Sequence, residues 1–192
     1  MKRLALFMSL LLIVVTFSSC QIYALKMSRP IKLSKCEMMS LSYFPEADFC
    51  GYINMPDYFS AVKPYSKYSA LPVSVLFDNQ GNLVDLSYNP NGDSYCPGER
   101  DEIIREFSPE TPKKLLSKEE SQFMLEIFSK INYWTEPFSF DNMSDYDYVL
   151  VQGGLYNLKK VRERLQTNIK QASDNTNYRI ATIYVNLNNI KE

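Results

Sequence analysis

The chain has 192 residues, with 21 Lys or Arg, 22 Asp or Glu and no histidine. Its net charge of −1 gives no indication of a nucleic-acid-binding surface. The lack of histidine excludes His-assisted serine or cysteine nucleophiles and His-ligated zinc, which removes most hydrolase designs.

The first 19 residues have the features of an export signal. Lys2 and Arg3 precede an apolar run of 14 residues from Leu4 to Phe17. A membrane-spanning helix needs about 20 such residues, whereas this length suits the core of a signal peptide. We therefore predict that residues 1–19 are a signal peptide. Its removal deletes two basic residues and no acid, which changes the net charge from −1 to −3.

The end of this segment, FSSC at residues 17–20, resembles the lipobox of bacterial lipoproteins. The resemblance implies that Cys20 is lipidated with acyl chains such as palmitate and becomes the N-terminus of a membrane-anchored chain. Gln21 resembles the pattern that sorts such proteins to the outer membrane, facing the periplasm. The alternative is ordinary cleavage after Ala24, with release into the periplasm.

Residues 20–35 are mostly polar or basic and predict a tether, followed by a single domain over residues 36–192. In an exported chain, two of the three cysteines beyond the tether are expected to pair. Cys36 and Cys50 are the nearest in sequence and are the candidate pair, which would leave Cys96 as a free or redox-active thiol, but the sequence alone does not assign the partners and a disulfide of Cys96 stays open. An inert Cys96 remains open, as does a second bridge if the anchor cysteine is not lipidated.

The first part of the domain, from Cys36 to Ser69, is rich in tyrosine and interrupted by prolines. Its tyrosines form either a recognition surface or ordinary half-buried packing around a sheet. They are Tyr43, Tyr52, Tyr58, Tyr65 and Tyr68.

The clearest fold signal is a β-hairpin between Pro72 and Tyr88. Apolar residues alternate in both arms, which places each set on one face of a strand. The turn from Asp78 to Asn82 contains Gly81, which can adopt a positive φ, and the Asp78 side chain can bond the turn backbone. We expect a helix to bury one apolar face. That face comprises Val73, Val75, Phe77, Val84, Leu86 and Tyr88.

Periodic apolar residues downstream predict three helices and two strands. The elements are a short helix from Pro97, a helix from Ser117 to Ile131 with a Ser117/Glu120 capping box, a strand from Asp145 to Val151 with a Gly153-Gly154 turn after it, a helix from Leu155 to Ala172 and a strand from Tyr178 to Leu187. The fold class is therefore a single α+β domain, in which two or three amphipathic helices cover a small, mostly antiparallel sheet.

The order of elements within residues 71–140 is similar to that of the TonB C-terminal domain. The matching segments are the strand Leu71 to Phe77, the turn Asp78 to Asn82, the helix Phe123 to Tyr133 and the exit Trp134 to Pro137. The resemblance implies a small α+β domain that accepts a peptide by strand addition at a sheet edge. TonB's proline-rich spacer has no counterpart in this sequence, so the resemblance concerns the fold rather than energy transduction.

No catalytic motif stands out in the sequence. The acids Asp141, Asp145 and Asp147 lack the glycine and terminal glutamate of an EF-hand loop, which favours a turn over a calcium site. No two carboxylates are singled out as a glycosidase pair. We therefore expect no catalytic residue, metal ion or cofactor.

These features predict a non-catalytic lipoprotein of the bacterial cell envelope that binds another envelope protein. Two other classes stay open. An exported inhibitor or immunity-type protein would occlude one soluble enzyme, and a histidine-independent enzyme would use carboxylates or Cys96.

Overall fold

A computed structural model describes residues 32–34, 37, 47–88, 104 and 107–190. Within them the strands are β1 (Lys32–Leu33), β2 (Phe49–Tyr52), β3 (Val73–Asp78), β4 (Leu83–Val84), β5 (Asn132–Tyr133), β6 (Tyr148–Gly154), β7 (Ile180–Asn186) and β8 (Asn189–Ile190). The helices are α1 (Met55–Ala61), α2 (Lys118–Phe128) and α3 (Lys159–Ser173), and two 3-10 helices span Lys63–Ser69 and Phe140–Asp145.

One six-stranded sheet has the order β4-β3-β6-β7-β2-β5. The predicted α+β fold is confirmed, but the expectation of a mostly antiparallel sheet is wrong. The central strands β6, β7 and β2 are parallel, and β3, β4 and β5 are antiparallel to their neighbours. The parallel core arises because α3 carries the chain from β6 across the sheet to β7, and such a crossover makes the two strands parallel. β1 and β8 pair separately, also in parallel.

The turn of the predicted hairpin forms as expected. Gly81 has a φ of 81°, and its N–H donates to the Asp78 carbonyl oxygen at 3.0 Å. The Asp78 carboxylate accepts hydrogen bonds from the backbone N–H groups of Gln80 (3.0 Å) and Asn82 (2.8 Å). Glycine tolerates this φ and aspartate supplies the turn with acceptors, so both residues act as the sequence predicts.

The second arm of the hairpin differs from the prediction in length and in facing. β4 is only two residues long, and residues 79–81 form a three-residue loop that pairs Phe77 with Leu83. Leu83 therefore lies on the face that was expected for Val84. Val84 and Leu86 pack instead on the opposite face, together with Leu76.

Different helices cover the two faces of the sheet. On one face α2 packs against β3, β6 and β7, and the ring centres of Phe128 and Phe77 lie 6.3 Å apart. Ser117 caps α2 as predicted, because its Oγ accepts from the Glu120 N–H at 3.1 Å. On the other face α3 packs against β6 and β7, and Leu165 is fully buried there.

The predicted Gly153-Gly154 turn is the end of β6, and α3 begins at Lys159 rather than Leu155. A Cβ atom on Gly154 would lie 2.8 Å from side-chain carbons of both Val161 and Leu165. Glycine is therefore required here for the close approach of helix and strand, not for a turn.

Several predictions concern residues outside the described ranges. These are the signal peptide, most of the tether, Cys20, Cys36, Cys96 and the start of the helix at Pro97. Among the described residues, no helix has both the length and the apolar composition needed to cross a membrane.

Candidate functional site

A cleft of about 390 Å³ lies beside the outer edge of β3. The first half of β3, Val73–Val75, lines it from the sheet. Lys67 and Tyr68 of the first 3-10 helix and Leu116 line it from the α2 side, and Arg164 of α3 lines it from the other side. The edge of β3 is thus flanked by elements from both faces of the sheet.

The backbone of β3 is open to this cleft. β4 pairs with β3 only at Leu76 and Phe77, so in the described ranges no strand covers Val73–Val75 on the outer side. The Asp78 N–H points outward, toward Asn82, and alternation along the strand gives Ser74 the same orientation. The N–H and C=O groups of Ser74 therefore face the cleft.

A short segment, Lys114–Leu116, bonds to the chain beside the open stretch of β3, and we call this segment the strip. The Asp85 N–H donates to the Lys114 carbonyl at 2.8 Å, and the Leu116 N–H donates to the Leu83 carbonyl at 2.9 Å. These bonds cover the outer edge of β4. They also direct the chain away from β3 after Val84, which leaves Ser74 exposed to the cleft.

The α2-side wall is held by a buried carboxylate. Glu120 is 8% exposed, accepts a hydrogen bond from the Tyr68 hydroxyl at 2.5 Å and forms an ion pair with Lys67. Burial, and then the bond to Glu120, raise the pKa of Tyr68 above its usual range. Glu120 was predicted to complete the capping box of α2, but its carboxylate binds these cleft residues.

The α3-side wall contains a chain of buried polar side chains. The Gln152 Nε2 donates to the Ser74 Oγ, and the Gln152 Oε1 accepts from the Asn168 Nδ2 at 3.3 Å. Gln152 and Asn168 are 0% and 1% exposed. A polar side chain at the edge of the cleft is thus connected through the sheet to α3.

A cage of aromatic rings anchors the chain just before the strip. The Lys113 Nζ lies 4.9, 5.4 and 4.7 Å from the ring centres of Phe107, Tyr148 and Tyr178, and it donates to the Tyr178 hydroxyl at 2.7 Å. Partial burial lowers the pKa of Lys113, but bonds to the two tyrosine hydroxyls outweigh it and raise the pKa above its usual value. Lys113 therefore holds the strip against the sheet as a cation.

Of the four cysteines, the structure describes Cys50. It lies in β2, is 1% exposed and packs with Leu165, Ile169 and Tyr184 under α3. Its predicted partner Cys36, the lipidation residue Cys20 and the predicted thiol Cys96 lie outside the described ranges. The disulfide, the lipid and the redox thiol therefore stay predictions.

The four described tyrosines of the first segment do not form one surface. Tyr58 is buried, Tyr52 stacks on Trp134 with ring centres 4.4 Å apart, and Tyr65 contacts Phe123 at 4.8 Å. Tyr68 lines the cleft. Tyr43 lies outside the described ranges.

The three predicted acids lie at and after the second 3-10 helix, and all are exposed. The Asp147 carboxylate accepts from the Arg179 N–H at 2.8 Å, which joins the residue before β6 to the residue before β7. In the part of the chain that the structure describes, no group of three or more acids or cysteines is placed to hold a metal ion.

Sequence reasoning missed Ser74 and Gln152 as a pair, because 78 residues separate them. The available signal was Gln152 itself, the polar residue in the otherwise apolar run of β6.

No protein-family model, curated protein or solved structure matches this chain. The similarity of residues 71–140 to the TonB domain therefore stays a prediction.

Proposed function

We propose that this chain is a non-catalytic lipoprotein of the bacterial cell envelope, and that its cleft binds an extended segment of another envelope protein as an added strand. The observation that carries the proposal is the backbone of Ser74, which faces a cleft and is covered by no strand of the described ranges. Strand addition uses backbone hydrogen bonds for affinity and side-chain contacts for specificity.

The cleft suits a single extended segment better than the edge of a folded sheet. Lys67, Tyr68 and Leu116 stand on one side of the open strand, and Arg164 stands on the other. A second sheet that approached β3 edge to edge would meet both walls, whereas one extended chain fits between them. Since the open stretch is only three residues long, the walls must supply much of the binding energy.

The predicted anchor keeps such a module close to its partners. Twelve residue steps separate Cys20 from Lys32, the first residue of β1. A fully extended chain of this length reaches about 40 Å. A lipidated Cys20 would therefore restrict the domain to a layer next to the membrane, where envelope proteins present their periplasmic segments.

Site-specific crosslinking tests the partner. A photo-crosslinking residue at position 70, which is exposed and lines the cleft, is compared with one at position 166 on the exposed side of α3. We expect position 70 alone to crosslink one envelope protein, at one extended segment located by mass spectrometry. Crosslinking to a folded surface or to the same proteins from both positions would contradict the proposal.

A synthetic peptide of the captured segment then tests strand addition. Ser74→Pro removes the outward N–H, whereas Ser74→Ala keeps it, so we expect binding to be lost in the first variant and weakened by no more than about tenfold in the second. The Ser74 amide should exchange its hydrogen at least tenfold more slowly when the peptide is bound. An unchanged exchange rate would show that the segment does not pair with β3.

Lipidation is tested separately. Cys20→Ala should move the protein from the membrane fraction to the soluble periplasmic fraction. A variant that still sediments with membranes would contradict the lipobox interpretation and leave the cleft unaffected.

A further inference from the structure

The polar side chains behind the cleft donate their hydrogen bonds in one direction. Asn168 donates to Gln152, and Gln152 donates to the Ser74 Oγ. Both amides are buried in the layer between the sheet and α3, where an unmade hydrogen bond is costly. In this arrangement the Ser74 Oγ accepts a hydrogen bond from the interior.

The Ser74 hydroxyl consequently has its own hydrogen left to donate. A hydroxyl has one donor and can accept two hydrogen bonds, and Gln152 uses one of the acceptor positions. Among the described residues no acceptor is bound to this hydroxyl. Ser74 lines the cleft, so the remaining direction for its O–H is toward an occupant.

We infer that the cleft selects a segment with a hydrogen-bond acceptor, the side-chain oxygen of Asp or Asn, at the position facing Ser74. The inference rests on the proposed function and specifies its ligand. Gln152 and Asn168 are positioning residues, because they orient the hydroxyl without touching the occupant. Ser74 is the specificity residue.

Arg164 lines the same side of the cleft and offers a second source of preference for acids. The two sources are separable by chemistry. A guanidinium favours Asp over the neutral Asn, whereas a hydroxyl donor accepts either oxygen. A preference that includes Asn and depends on Ser74 therefore belongs to the hydroxyl.

Selection from a random heptapeptide phage library tests the inference. The baits are the full chain in detergent and its Ser74→Ala and Ser74→Pro variants. We expect the wild-type bait to enrich Asp or Asn at one fixed position, and the Ser74→Ala bait to enrich related peptides without the preference for Asn. The same preference in both baits would overturn the inference and leave strand addition standing. Equal enrichment by wild type and Ser74→Pro, or none by either, would overturn the proposed function and the inference together.

Gln152→Met tests the positioning role with a side chain of similar size. The consensus peptide and its Asn-to-Ala form are compared by isothermal titration. We expect the Asn peptide to bind the wild type about tenfold tighter than the Ala peptide, and this ratio to fall below about threefold in Gln152→Met. Thermal unfolding reports any loss of stability separately. A ratio that stays at about tenfold while stability falls would mean that Gln152 is structural only.

Discussion

The two sides of the central sheet differ in whether the outward backbone N–H and C=O groups of their strands have hydrogen-bond partners. At β2 the chain is closed, because the Trp134 N–H donates to the Cys50 carbonyl at 2.8 Å and the Cys50 N–H donates to the Thr135 Oγ1 at 3.1 Å. At β3 the backbone N–H and C=O groups of Ser74 face the cleft. We call the first the sealed edge (residues 49–52 with 132–135) and the second the open edge (residues 73–75).

The difference follows from local chemistry on each side. At the sealed edge Gly51 has no side chain, which lets β5 approach closely. At the open edge the Asp85 carboxylate accepts from the Ser87 N–H at 3.0 Å and turns the chain away from β3. Two bonds of Asp85, from its N–H to the Lys114 carbonyl and from the Ser87 N–H to its carboxylate, therefore end the neighbouring strand and leave this edge open in the described part of the chain.

The largest expected effect is at the sealed edge. A Cβ on Gly51 would lie 2.4 Å from the Ile131 Cγ2 and 2.8 Å from the Asn132 carbonyl oxygen. Gly51→Ala should therefore lower the free energy of unfolding by about 3 kcal/mol, measured by urea denaturation. In the control Gly153→Ala the nearest atom is 3.4 Å away, and we expect a change below about 1 kcal/mol. Equal losses in the two variants would mean that contact at the sealed edge is not tight.

Proline substitution should distinguish the two sides of β3. Val75 pairs with Val151, and its N–H faces β6, so Val75→Pro removes a ladder hydrogen bond and strains the sheet. Ser74→Pro removes an N–H that faces the cleft. We expect Val75→Pro to be less stable than Ser74→Pro by about 2 kcal/mol in urea unfolding. Similar stabilities would show that the Ser74 N–H is not at an open edge.

Single side chains satisfy a backbone donor near each edge. The Ser121 Oγ accepts from the Leu83 N–H at 3.0 Å, and the Thr135 Oγ1 accepts from the Cys50 N–H. Ser121 is 4% exposed, so Ser121→Ala should cost about 2 kcal/mol of unfolding free energy. Thr135 is exposed, and water can replace its hydroxyl, so Thr135→Ala should cost less than about 1 kcal/mol. A larger loss of unfolding free energy in Thr135→Ala than in Ser121→Ala would contradict this prediction.

The last effect is absent at neutral pH and develops only in alkali. Burial raises the pKa of Tyr58, whose hydroxyl donates to the Tyr68 carbonyl at 2.9 Å, and of Tyr184, which pairs with Cys50 at the sealed edge. Above about pH 10 these residues lose their protons in the unfolded chain and keep them in the folded one. The free energy of unfolding therefore falls as pH rises, by up to about 1.4 kcal/mol per pH unit for each tyrosine. Phe at either position should reduce the slope between pH 10 and 11.5, and equal slopes in both variants and the wild type would contradict this.

Local features of the fold were predictable from the sequence. Asp78 and Gly81 build the turn, and Ser117 caps α2, because each acts on backbone within a few residues. The final strand was also predictable, since Ala181, Ile183 and Val185 alternate toward the core.

The candidate site and the sheet order depend on distant pairs and were not predictable. β2 has only four residues and contains a glycine, so its sequence gives little strand signal, yet it lies beside β7 in the sheet. The open edge results from where β4 stops, which depends on the bond from Asp85 to Lys114. The α3-side wall of the cleft forms only when Ser74, Gln152 and α3 come into contact, and no local sequence pattern predicts that contact.

The parallel pair of β1 and β8 has a mechanical consequence. Lys32 pairs with Asn189 and Leu33 with Ile190. A pulling force transmitted along the chain ahead of Lys32 loads β1 at its first residue, and β8 resists from its own first residue, since β7 precedes it. Because both strands are loaded at the same end, their paired residues separate one pair after the other, at low force. The pair therefore acts as a weak link that separates before the six-stranded sheet bears the tension.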